Sequence, residues 1–414
     1  MRTGPNAGSA GAVNARRVTA PAASRRLPFG VYLLAFCLFA MGTAEFLLAG
    51  VLPAVAADLD VTLASAGGLI TAFAIGVVIG GPPLAAISLR WPRRTALAAS
   101  QAAFAASIAV GLLFDTYLAL LVTRFIAGLA YAGFFAVAAV TAASLVSFDR
   151  AARASGVVVS GLSLAMILGG PAGTLISFLT SWTSGFWMVV ALVILGTIAT
   201  AIQLPRTAVT GLQPSLGREL AVLKQPPLWW VWAACLLSTA AYMITFNYLS
   251  ALLTEVTDVP VVWVPGVLVL FGVGAFIGLS IGGRISDEHP SRALLIGAIG
   301  IAVCSVLIAI LASYAVAIVP LAFILGVVGF VLNPAVYGRT FAIAGNALTL
   351  AGATTVSMFQ LGISLTPALA GLALNSGAPI TAVAWIGASL AVLCLIPIFK
   401  DRGRLKRHHA ELSQ

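Results

Sequence analysis

Charged side chains are scarce in this chain. They make up 8% of its 414 residues, against roughly 25% in an ordinary soluble domain, while 61% of the residues are hydrophobic. That balance excludes a soluble globular protein. Histidine and cysteine are rarer still. The cysteines Cys37, Cys235, Cys304 and Cys394 sit in apolar stretches without CxxC spacing, so they are expected to be small packing residues rather than disulfides or ligands. The histidines, His289, His408 and His409, fall between or beyond the apolar stretches, where solvation accounts for them. No HExxH, GxSxG or Walker A sequence occurs, and no metal or organic cofactor is implied. An ATP-driven pump would need a nucleotide-binding domain, and no polar stretch is long enough to form one. An acyl-transferring membrane enzyme is disfavoured too, because no nucleophile and histidine share the apolar stretches.

What is present is a series of long apolar windows. A spanning helix needs about 20 mostly apolar residues. Twelve such windows follow one another, at 29–52, 66–88, 95–114, 118–140, 155–178, 184–204, 228–250, 263–283, 293–313, 315–337, 350–373 and 380–399. The expected fold is an all-α integral membrane protein with twelve transmembrane helices. Residues 1–27, rich in Ala, Arg, Gly and Ser, read as a disordered cytoplasmic arm. The apolar run that follows is too long for a cleavable signal peptide, so the first helix is expected to stay in the mature protein. A central cytoplasmic loop at 205–227 divides a bundle at 28–204 from one at 228–400, and 401–414 forms a cytoplasmic tail.

The net charge of +10 invites a nucleic-acid reading, which the placement of the charges removes. With the N-terminus in the cytoplasm, every Lys and Arg except Arg124 lies on the inner side. The outer connections carry only acids: Asp58, Asp60, Asp115, Glu255 and Asp258. This is the positive-inside pattern. It predicts a multi-pass protein of the cytoplasmic membrane with both termini inside, lipid headgroups as partners and no nucleic acid.

The two halves resemble each other. At an offset of 198, Phe73, Gly76, Ile79, Gly80, Ile87, Ser88, Pro92, Arg94 and Leu97 match Phe271, Gly274, Ile277, Gly278, Ile285, Ser286, Pro290, Arg292 and Leu295. Shared oiliness does not explain repeated proline and arginine. Two six-helix repeats are the architecture of transporters whose halves rock about a site near the bilayer midplane. The repeated Gly-xxx-Gly pairs fit either static helix packing or a moving interface.

Two charges remain inside the windows: Glu45 in the first and Arg124 in the fourth. Such residues cost roughly 2.5–3.5 kcal/mol at mid-helix on insertion scales and usually face a cavity or a partner. They lie seven and six residues from the outer ends of their windows, each roughly 10 Å deep at 1.5 Å per residue. They are therefore placed to pair, directly or through water. One reading is a permanent ion pair that joins two helices; the other is a carboxylate that loads and releases a proton as access alternates. In the second half, Asn247, Asn333 and Gln360 are polar groups within windows, near Tyr242, Met243, Phe246, Tyr337, Met358 and Phe359, with Tyr131 beside Arg124. This set suits an apolar or aromatic substrate with a few polar groups.

The pattern over residues 28–400 resembles the major facilitator superfamily, in its drug:proton antiporter branch with twelve helices. The stretch AAISLRWPRR is similar to that family's motif between helices 2 and 3. It keeps the basic residues Arg90, Arg93 and Arg94, with Leu89 where the motif has an acid and Pro92 where it has glycine. The second-half copy, GRISDEHPSR, keeps Asp287 and Arg292, so an inner charge gate leans on Asp287. RFIAG supplies Arg124 and Gly128 in the pattern of the helix 4 motif, which implies that Arg124 tunes proton coupling. GLSLAMILGGPAG, with Gly161, Gly169, Gly170, Pro171 and Gly173, is similar to the antiporter motif of helix 5 and implies a bend or seal where helix 5 meets helix 8. The run PFGVYLLAFCLFAMGTAEFLLAGVLPAVAADLDV and the segment RWPRRTAL are similar to the chloramphenicol-resistance exporters of actinobacteria. That resemblance implies efflux of a small-molecule drug in exchange for protons as the coupling ion, by a functional monomer. An exporter of endogenous sugars or nucleosides and a non-transporting membrane receptor are the alternative readings.

Overall fold

The computed structural model describes residues 27–88, 91–114, 116–147, 150–205, 224–345 and 348–412. Arg90, residues 1–26 of the arm and most of the 205–227 connection lie outside them. The described residues form twelve helices long and apolar enough to cross a membrane. They are α1 (Phe29–Asp58), α2 (Leu63–Ser88), α3 (Arg93–Phe114) and α4 (Tyr117–Ser144), then α5, built from Ala151–Leu164, a π-helical turn at Ala165–Gly169 and Gly170–Leu179, and α6 (Trp182–Gln203). The second half has α7, built from Pro226–Asn247 and Leu249–Glu255, α8 (Val264–Glu288), α9 (Pro290–Leu311), α10 (Ala315–Ala344), α11 (Leu348–Asn375) and α12 (Ala382–Leu412). The four cysteines are free and buried.

Several helices run past the apolar windows, because a helix ends where its backbone stops, not where its oiliness does. Pro53 does not stop α1, which continues to Asp58. Asp58 is thus the last helical residue rather than part of a loop, and it accepts a 2.7 Å hydrogen bond from the Trp182 indole. Arg339 is likewise not in a loop. It lies near the end of α10 and makes a two-pronged ion pair with Asp401 of α12, at 2.7 and 3.0 Å. Asp401 is 3% exposed, so the second half does hold a buried charge, contrary to the sequence reading. The planar guanidinium matches both carboxylate oxygens, the geometry that makes such a pair strong.

The repeat seen in the sequence reappears as repeated contacts. Gly76 packs on the Phe125 carbonyl and Gly128 on that of Phe73; their counterparts Gly274 and Gly326 pack on Phe323 and Phe271. Each pairing holds at the same offset of 198. The Gly-xxx-Gly pairs therefore join α2 to α4 and α8 to α10, inside each half, and not a moving surface between halves. A second recurring contact joins α5 to α1, with Gly161 over Ala35 and Phe39, and α11 to α7, with Gly362 over Leu236 and Ala240. There the offset is 201.

Helix α5 bends where its sequence forces it to. Pro171 has no N–H to give the carbonyl four residues back, and the turn before it widens so that the Gly170 N–H bonds to the Ala165 carbonyl. The glycines around this bend seat on α1: Gly169 against Thr43, Gly170 against Phe46 and Gly173 against Leu47. The same run also meets α8, as the resemblance implies: Gly272 of α8 packs on Met166 and Ile167 of the π turn.

A Cβ at Gly76 or Gly274 would strike backbone, while nothing lies within 4 Å of one at Gly283. Gly76→Ala and Gly274→Ala are each expected to lower stability by about 1–3 kcal/mol, as overpacking does. Gly283→Ala is expected to be neutral or stabilising. Thermal denaturation of the purified proteins measures all three.

Candidate functional site

Between the halves lies a cavity of about 340 Å³, within the range of small-molecule sites. Its walls come from α1, α4, α5, α7, α8, α10 and α11, so both repeats build it. Most of the surface is apolar and aromatic, with Phe46, Phe135, Met166, Met243, Phe276, Phe330 and Phe359 among the lining residues. The polar lining is Glu45, Tyr131, Ser163, Thr239, Tyr242, Asn333, Tyr337 and Gln360. Among the described residues, Glu45 is the one charged side chain in that wall.

Glu45 and Gln360 meet across the cavity. Gln360 Nε2 donates to Glu45 Oε1 at 3.3 Å, which joins α1 of the first half to α11 of the second. Gln360 Oε1, Asn333 Oδ1 and Thr239 Oγ have no protein partner. Buried polar atoms are ordinarily satisfied, so three such atoms in one wall are available to a bound molecule. Tyr131 stacks on Phe135 at 6.3 Å and Tyr337 on Phe359 at 5.6 Å between ring centroids, which gives the cavity flat aromatic faces on opposite sides.

Arg124 is at the depth the sequence suggested but does not touch Glu45; the two make no ion pair within 4.0 Å. Its Nη1 donates to the Ala44 carbonyl at 3.3 Å, and its guanidinium lies over Phe73 and Phe186, 4.8 and 5.9 Å from the ring centroids. The reason is angular. Successive residues of a helix point about 100° apart, so Glu45 enters the cavity while Arg124 lies along another face of α1, inside the first bundle. The charges still feel each other electrostatically.

Two sequence candidates fall outside the wall. Asn247 Nδ2 donates to Thr366 Oγ at 2.8 Å and ties α7 to α11 just before α7 breaks at Tyr248. Phe246 is stacked on Phe271 at 4.4 Å and meets Phe46 edge-on, so it supports the wall from behind. The cavity residues missed in the sequence, Ser163 and Thr239 among the polar ones, are of types so common in these helices that nothing marked them.

The gate candidates lie near the end of the bundle that carries the termini. Arg93 and Arg94 open α3, and Arg94 Nη1 donates to the Leu204 carbonyl at 3.4 Å. Asp287 lies in the last turn of α8 and Arg292 in the first turn of α9; Asp287 makes no ion pair among the described residues. At the opposite end the halves are tightly joined. Ser250 Oγ donates to the Gly50 carbonyl and Thr71 Oγ to the Ser364 carbonyl, each at 2.9 Å, and Gly67 packs against Tyr248 and Pro367.

The sequence model of the Major Facilitator Superfamily matches residues 34–357. The chain belongs to that superfamily. It is a multi-pass membrane transport protein and not an enzyme. A chloramphenicol resistance protein of Streptomyces lividans is 35% identical to it, over 91% of this chain and 97% of that one. A chloramphenicol efflux pump of Mycobacterium tuberculosis is 25% identical over 84% of this chain and 86% of its own. The crystal structure of a point mutant of the nucleoside transporter NupG covers 90% of this chain and 98% of its own with a TM-score of 0.72. At 14% identity that likeness speaks for the shared fold alone.

The contrast between Asn247 and Asn333 can be measured. Asn247→Ala is expected to lower unfolding stability by about 1 kcal/mol, the net worth of one buried hydrogen bond. Asn333→Ala, whose Oδ1 has no protein partner, is expected to cost less than that. Denaturation curves in detergent distinguish the two.

Proposed function

We propose that this superfamily member exports chloramphenicol-like drugs across the cytoplasmic membrane in exchange for protons, by alternating access. The observation that carries the reading is the Glu45–Gln360 hydrogen bond, made by the one acid in the cavity wall and crossing from one half to the other. An ionised carboxylate accepts from the Gln360 amide with the added strength of its charge. A protonated one accepts more weakly and becomes a donor itself. Proton loading on Glu45 thus alters a bond between the halves and the polar face offered to the drug.

The cavity composition fits the substrate class. Tyr131, Tyr337 and Phe359 can cover an aromatic ring, and Asn333, Gln360 and Thr239 can meet hydroxyl and amide groups, a combination suited to a phenicol and unsuited to a polyanion. The names of the Streptomyces and Mycobacterium relatives point the same way. Alternating access is supported by the position of the joins between the halves. Ser250–Gly50 and Thr71–Ser364 shut the end away from the termini. With the termini in the cytoplasm, as the placement of Lys and Arg favours, this is a state closed to the outside, ready to take drug from the inside. Binding and release on opposite faces then requires those joins to part. Phe46, stacked edge-on with Phe246 behind Glu45, is where such parting reaches the proton site.

The test is retention of labelled chloramphenicol by cells carrying the protein. Cells with the parent chain are expected to hold less label than empty cells and to lose that advantage when a protonophore is added. Glu45→Gln is expected to insert at parental levels yet bring efflux to background. Protonophore-sensitive export by Glu45→Gln equal to the parent's would overturn the role given to this carboxylate.

A further inference from the structure

A second, smaller cavity lies behind Arg124, enclosed by α1, α2, α3, α4 and α6 and separate in its lining from the drug cavity. Its volume of about 20 Å³ is room for one water. The wall is apolar, with Leu69, Ile108 and Leu120 in it, except where Thr123 and Arg124 enter. Arg124 is 6% exposed and its Nε–H has no protein partner. Thr123 spends its own proton on the Ala119 carbonyl at 2.7 Å, which leaves its oxygen free to accept. A donor and an acceptor therefore border a water-sized space, as a buried water site requires.

The space has a neighbour. At the end of the bundle away from the termini, a shallow vestibule, wide open to the surface, is bordered by Asp58, Ser181 and Thr183 together with Leu113 and Trp187. Leu112 and Trp182 belong to the walls of both. Trp182 is 7% exposed. Its indole N–H donates to Asp58 at 2.7 Å, and its ring lies edge-on to Phe186 at 6.0 Å. The indole thus stands between vestibule and chamber, held from the vestibule side.

We propose that the chamber is a binding site for one ordered water, held by Arg124 Nε and Thr123 Oγ, and that Trp182, fixed by Asp58, is the plug through which this water exchanges with the face away from the termini. Arg124 is then wetted from one face while Glu45 borders a cavity on the termini side of the joins between the halves. The two charges therefore border separate spaces on different faces of α1. The inference stands on geometry and does not depend on which solute or ion is transported.

Hydroxyl-radical footprinting reads this directly, because radiolysis of a bound water oxidises the side chains beside it, and oxygen-18 water added before the pulse times its exchange. In the intact protein, Leu69, Ile108 and Leu120 are expected to be oxidised well above Leu34 and Ile301, which are fully buried in other parts of the core. Oxygen-18 is expected to enter those positions slowly. Asp58→Ala, which removes the acceptor of the indole hydrogen bond and keeps the ring, and Trp182→Phe, which removes the N–H and narrows the plug, are expected to speed that entry about tenfold or more, a barrier lowered by at least roughly 1.4 kcal/mol. Thr123→Val is expected to reduce oxidation at the three positions severalfold. Oxidation no greater than at Leu34 and Ile301 overturns the water site. Oxidation with the same oxygen-18 kinetics in the parent, Asp58→Ala and Trp182→Phe overturns the plug.

Discussion

Hydrocarbon does not solvate a charge, and much of this molecule is arranged around that constraint. Three charged sites within the described helices show three different solutions. Glu45 borders a cavity and accepts from an amide of the other half. Arg124 rests on a main-chain carbonyl and two aromatic faces. Arg339 is matched in both prongs by Asp401. These solutions differ in how easily they come apart. A two-pronged buried pair is a fixture, since removing one partner strands the other at a cost of several kcal/mol. A single amide–carboxylate bond at a cavity wall is cheap to exchange for a substrate or a proton. The arrangement therefore puts rigidity at the termini end of the second half and lability at the centre.

The repeats share their packing and differ in their chemistry. The contacts of Gly76, Gly128, Gly274 and Gly326 superimpose by the same offset, yet Ala322 occupies the second-half position corresponding to Arg124. The first half supplies the carboxylate and the buried cation. The second supplies Gln360, Asn333, Thr239 and most of the phenyl rings of the cavity. A duplication conserves backbone approach, which depends on glycine, more readily than it conserves side-chain function, which depends on a few substitutions.

What was legible in the sequence follows from the same physics. Apolar windows mark twelve helices because span length is a property of local composition, and Glu45 and Arg124 stand out because charges in such windows are rare. Depth was legible too, since it only counts residues along an axis. Azimuth was not. Asn247 and Asn333 are equally polar in the sequence, but one reaches Thr366 and the other the cavity, and the difference is set by how α7 and α10 are rotated against their neighbours. The same holds for Arg124, which has the right depth and another direction. Arg339 and Asp401 read as loop and tail residues because a charge in the sequence signals the end of a span; two opposite charges that neutralise each other let both helices run on.

The π turn at Ala165–Gly169 has a further consequence for how this cavity can change over generations. A π turn carries one more residue than the α turn it replaces, so it behaves as a one-residue insertion absorbed within a helix. Deleting a single residue there would restore α geometry and swing the termini-side part of α5 by about 100°. Val159, Leu162 and Ser163, which now border the cavity, would turn away together, and neighbours would turn in. A lineage can thus exchange one wall of its binding site by an insertion or deletion, with no substitution at any lining position.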